Sequence, residues 1–187
     1  KGLNAPIKIQ DFLNSLKFNF KDTHNSVRIT LRKKKAHCFE GALVAAVALW
    51  IQGEKPLLLD LKTIRPDFDH VVALFKTNGH WGAISKTNHA VLRYREPVYK
   101  NVRELAMSYF HEYFLKSGRK TLRSYSKSFD ISKYAPEWIT TRSNLVHLAH
   151  KLDRSPHLDI LSAKQIKNLR KADKIEIKAG EIREYRR

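Results

Sequence analysis

The chain has 187 residues, 42% of them hydrophobic, which suits one domain with a core of its own, and its 36 Lys and Arg against 18 Asp and Glu give a formal charge of +18. Such an excess attracts polyanions or acidic substrates without naming either. No stretch reaches the roughly 18 uninterrupted apolar residues of a spanning helix, and a single cysteine excludes an internal disulfide and a cysteine-cluster metal site. The expectation is a protein with no membrane partner in a reducing, cytoplasmic compartment; Lys1 at the first position suggests a trimmed start.

Residues 9–17 place Ile9, Phe12, Leu13 and Leu16 on one helical face, so a short amphipathic helix is predicted, followed by a polar loop over 21–26. Val27, Ile29 and Leu31 alternate with polar residues, which predicts a short strand or an extended lead-in. Cys38 then opens a helix that is apolar on nearly every side as far as Trp50, with Gly53 as its stop and Pro56 preventing its return. A thiol there is favoured as thiolate by the unpaired first-turn N–H groups and by Arg32 and Lys33 to Lys35. Without a partner, a lone cysteine beside an apolar helix is only a small buried hydrophobe.

Leu57 to Leu61 reads as a buried strand, and residues 69–75 and 80–85 as the arms of a hairpin turned by Asn78-Gly79. A four-residue loop sets His70 opposite Ser85, and a two-residue loop sets it opposite Thr87. In both registers Trp81, Ala83, Ser85 and Thr87 share the His70 face. Residues 91–96 form a further extended segment ending near Pro97, and 101–117 a helix whose aromatic stripe is core packing. Helices over about 136–152 and 162–171 and a strand over 174–178 complete the chain. The domain reading is a core over 1–118 and a basic, mainly helical extension over 119–187.

A cysteine nucleophile needs a base within hydrogen-bond reach and a group that orients the base. His37 is adjacent to Cys38, and neighbours on a helix do not face one another, so His70 is the better base. The order Cys38, then His70-Val71-Val72-Ala73, then Trp81 on the return strand resembles the transglutaminase-like core of the papain-like superfamily over roughly residues 30–100. The resemblance implies an α+β fold with the Cys38 helix on an antiparallel sheet. It also implies acyl transfer on a carboxamide or peptide carbonyl of a protein or peptide substrate, without a cofactor. In that family an Asp stands four residues after the Trp; here that position is Ser85, with Asn88 in reserve if a bulge brings it round. Trp81 and Asp69 are then cleft residues. The competing reading is a non-catalytic module that binds nucleic acid or another polyanion through Arg119, Lys120, Arg123 and Lys127. No third ligand converges on His147 and His150 or on His111 and Glu112, so no metal site is assigned.

Overall fold

A computed structural model describes residues 2–186; Lys1, on which the idea of a trimmed start rests, lies outside them. Helix α1 (Pro6–Ser15) begins with Pro in its first turn and buries Ile9, Gln10 and Leu13. The two-residue strands β1 (Lys17–Phe18) and β2 (Lys35–Ala36) pair in parallel on either side of α2 (Val27–Lys33). Segment 27–31 is therefore helical rather than extended. Ser26 caps it, its Oγ accepting from the Ile29 N–H at 3.4 Å, and the inward residues include Val27 and Thr30, one helical turn apart.

Helix α3 (Cys38–Ile51) buries every residue from Phe39 to Ala46, as its all-round apolar sequence requires. Gly53, at φ +88°, takes the left-handed position just beyond its end. Strands β3 (Leu57–Thr63), β4 (His70–Thr77) and β5 (His80–Ile84) follow. Thr77 pairs with His80, so the hairpin loop is the two residues Asn78 and Gly79, both at positive φ as a type I′ turn demands. Strand β6 (Arg95–Tyr99) starts later than expected and runs through Pro97. Its place at the sheet edge makes the missing N–H harmless.

Helix α4 (Val102–Ser108) is shorter than the 101–117 pattern suggested and passes into a 3₁₀ turn over Phe110–Glu112. Ser108 Oγ donates to the Leu105 carbonyl at 2.6 Å, a side-chain bond that competes with helical continuation. The aromatic stripe is core all the same: Tyr109, Phe110 and Tyr113 are buried.

The part after residue 118 is not mainly helical. It supplies β7 (Leu122–Ser126), β8 (Phe129–Asp130) and β9 (His157–Asp159); β7 and β8 both pair with β3, and β9 with β7. The single helix expected over 136–152 is two, α5 (Glu137–Thr140) and α6 (Val146–Asp153). Between them the chain spends its backbone groups on tertiary bonds: Thr141 O accepts from Ser26 Oγ at 2.6 Å, and Leu145 N–H donates to His24 O at 2.8 Å. Helix α7 (Ala163–Lys167) is short, and residues 174–178 lie in α8 (Lys174–Glu181) rather than a strand. The Asp173 N–H donates to Glu176 Oε2 at 2.6 Å, half of a capping box that outweighs the two-residue alternation.

The main sheet is antiparallel, in the order β6-β5-β4-β3-β7-β9, with β8 also on β3. One face carries Leu58, Val71, Ala73, Phe75 and Ile84 against α3. The other carries Leu59, Leu61, Val72, Leu74 and Ala83 against Leu105, Tyr109 and Phe110. With both faces covered, β3 and β4 are near-continuous apolar runs. The architecture is mixed α+β, with eight α-helices among the described residues.

Candidate active site

Cys38 occupies the first turn of α3, partly open to solvent, and the histidine on each side of it comes from a different piece of structure. His70 is the first residue of β4, and its ring reaches the Cys38 thiol. Its Nε2 lies 2.8 Å from Ser85 Oγ, and that hydroxyl in turn donates to the Leu92 carbonyl at 2.6 Å. A serine has one hydroxyl proton, and Leu92 O can only accept. Ser85 must therefore accept from His70 Nε2–H, which leaves Nδ1 unprotonated in the neutral ring and free for the thiol.

Ser85 is itself fixed by Gln10 of α1. The Gln10 amide accepts from Ser85 N–H at 2.9 Å and donates to Ser85 O at 2.8 Å, replacing a strand neighbour where regular β4–β5 pairing has ended at Ala73 and Ile84. Asn88, the reserve orienter, spends its side chain elsewhere, and the hydrogen-bond partner of His70 is Ser85. Its side chain bonds the backbone of Tyr185, to N–H at 2.8 Å and to O at 3.0 Å. Trp81 is no cleft residue either: it pairs with Lys76, six residues along β4 from His70, or roughly 20 Å at strand rise. Asp69 accepts from Thr63 N–H at 2.7 Å and Thr63 Oγ1 at 3.1 Å and closes the β3–β4 connection.

His37 is the finding that sequence spacing missed. It is the N-cap, with extended backbone (φ −99°, ψ −172°), so the rule that helical neighbours diverge does not apply and its ring folds onto Cys38. His37 Nε2 bonds the Thr23 carbonyl, an acceptor only, so that nitrogen carries a proton; Glu40 Oε1 lies 3.7 Å away. Burial pulls the His37 pKa down, but the bond and charge of Cys38, the Glu40 carboxylate and Thr23 O outweigh it and raise it to about 9. For Cys38, burial pushes the thiol up, and the hydrogen bonds and charges of His37 and His70 bring it well below its ordinary value.

Glu40 is fully buried, a position a carboxylate holds only when its oxygens are bonded. It accepts from Asn19 Nδ2 at 2.9 Å, Thr23 Oγ1 at 2.8 Å, Asn25 N–H at 3.1 Å and His37 N–H at 3.2 Å. It thereby fastens loop 19–25 over the start of α3. The one available signal was a Glu at the third helical position, the half of a capping box that reaches back to the His37 N–H. Tyr113 approaches from the other layer. It is buried with its hydroxyl unbonded, and its pKa is raised well above the ordinary value by burial first and the Cys38 charge next.

Two other groups of charged side chains lie outside this site. Asp60, Asp69 and Asp153 bring carboxylate oxygens within 4.8 Å of one another. Each already has a partner: His157 Nε2 at 3.2 Å on Asp60, Thr63 on Asp69, and Lys62 Nζ at 2.7 Å on Asp153. The basic stretch 119–127 does not form one free patch. Lys120 is buried with its ammonium 3.8 Å from Glu176, and Arg123 spends its guanidinium on the carbonyls of Leu122 and Lys120, while Arg119 and Lys127 are exposed. No protein-family model matches the chain, and no curated protein sequence matches it.

Proposed function

We propose that the protein is a cysteine-dependent acyl-transfer enzyme of transglutaminase-like type, acting on a carboxamide or peptide carbonyl. The observation that supports this most is the chain of contacts from Cys38 to His70 to Ser85, in which the committed Ser85 proton leaves His70 Nδ1 as a base on the thiol side. His70 takes the Cys38 proton. Sγ attacks the carbonyl carbon, and the first-turn N–H of Cys38 meets the oxyanion. The C–N bond breaks as His70 Nδ1–H passes its proton to the leaving nitrogen, giving a thioester. Water or an amine then loses a proton to Nδ1 and attacks the thioester, and Cys38 leaves as thiolate. His37, protonated and backed by Glu40, holds the thiolate between these steps. The carboxylate that the family resemblance requires behind His70 has a counterpart behind His37 instead.

The test is acylation by p-nitrophenyl acetate followed by intact mass, together with ammonia release from glutamine-bearing peptides. The expected result is one acetyl adduct on Cys38, absent in Cys38→Ala, and formed about a hundredfold more slowly in His70→Ala. An acylation rate unchanged by His70→Ala sinks the reading.

A further inference from the structure

Helix α6 turns Leu148 and Leu152 to the core and sets His147, His150, Lys151 and Arg154 at the i, i+3, i+4 and i+7 spacing of one helical stripe. This stripe lines a concavity of about 740 Å³, and Lys127 and Lys133, from the segment around β8, line it as well. None of Cys38, His37 and His70 belongs to it. Asp130 is the one carboxylate in the lining, and its Oδ1 is already taken by Ser132 N–H at 3.0 Å and Ser132 Oγ at 2.6 Å. Among the described residues, none of these six cationic or titratable side chains is paired with a carboxylate.

The C-terminal dipole of α6 favours His150 and Lys151 in the last turn. It does nothing for Lys127 and Lys133, which come from another segment. Both walls are also tied into the fold. Leu148 and Leu152 anchor α6 in the core, Lys127 N–H donates to Pro156 O at 2.9 Å, and Phe129 stacks on Tyr134 with centroids 5.3 Å apart. Lys151 Nζ is held 4.8 Å from the Tyr134 ring. Cations held around one hollow that contains a single carboxylate, Asp130, repel one another, and a bound anion lowers that cost.

We propose that this groove is a binding site for a compact polyphosphate group, the ligand's run of phosphates lying between the Lys151–Arg154 wall and the Lys127–Lys133 wall. Arg154 supplies a planar fork for phosphate oxygens and the lysines supply point charges. The volume falls in the range of roughly 300–1,000 Å³ typical of small-ligand sites. The site is independent of the acyl-transfer reading.

Calorimetric titration of the full chain at fixed ionic strength tests it, with sodium tripolyphosphate, orthophosphate and a 20-base-pair duplex as probes. Tripolyphosphate is expected to bind more tightly than orthophosphate and, per phosphate, than the duplex. The double variants Lys151→Glu/Arg154→Glu and Lys127→Glu/Lys133→Glu should each weaken it about tenfold or more. Arg28→Glu/Arg32→Glu, the same change of net charge on exposed α2 positions, and Cys38→Ser should leave it unchanged. Circular dichroism and Tm confirm that each variant is folded. Equal loss in the α2 control, tighter binding of the duplex, or no tripolyphosphate binding overturns the proposal.

Discussion

Replacing His37 with Asn removes a charge from Cys38 while keeping a residue that caps helices well, so the start of α3 is preserved. An opposite charge in contact shifts a pKa by about one to three units. His37 divides its charge between Cys38 and Glu40, whose Oε1 is 3.7 Å from Nε2, and Cys38 as a residue is only half-buried. The expected loss is therefore in the lower part of that range, and the Cys38 pKa should rise by about one to two units. The assay is the second-order rate of iodoacetamide alkylation from pH 4 to 10 at constant ionic strength; Cys38 is the sole cysteine, so the midpoint needs no deconvolution. A midpoint that does not move refutes the assignment of His37 as the thiolate's charge partner. Stability supplies a second readout. With its folded-state pKa raised to about 9 from 6.5, His37 contributes stability that is fully present below about pH 6.5 and is lost as pH rises through about 9. The Tm gap between wild type and His37→Asn should shrink across that window and close above it.

Gln10→Ala leaves the buried N–H and C=O of Ser85 without partners and should cost about 2–4 kcal/mol in urea unfolding at unchanged m-value; a cost under about 1 kcal/mol means the strand end re-pairs by itself. Gly41→Ala would place a Cβ 2.5 Å from Lys86 Cβ, forcing α3 away from the segment that carries Ser85. Lower Tm and slower Cys38 alkylation together are expected, and an unchanged protein shows that the packing is loose there. Long-range ¹H–¹⁵N correlation should find neutral His70 as the Nε2–H tautomer, and Ser85→Ala should mix the two tautomers; an Nδ1–H ring in the wild type contradicts the base assignment.

The pattern of the sequence was sufficient for the parts whose signals are local. An all-round apolar run of α3 length has to be enclosed, Asn78-Gly79 has to turn a hairpin, and alternation in either of its two registers puts Ser85 rather than an even-numbered neighbour on the His70 face; the two-residue loop was decided by the structure. Segments 27–31 and 174–178 alternate like strands, but the equally local caps at Ser26 and Asp173 make them helices. Where local signals are weak, tertiary contacts decided. A long helix over 136–152 is broken by bonds to Ser26 and His24, more than a hundred residues earlier.

The site divides in the same way. Cys38, His70 and Ser85 were legible because helix starts and strand registers have fixed geometry. His37 was not, since whether it faces Cys38 depends on one backbone conformation at the N-cap. Glu40 and Gln10 were not, because their roles exist only once loop 19–25 and the end of β5 have come to them. Sequence alone set Cys38 at the helix start and His70 at the strand start. Only the packed chain placed a charged histidine and a buried carboxylate beside that thiol, because a polar group's role is set by which partners satisfy it when water is excluded.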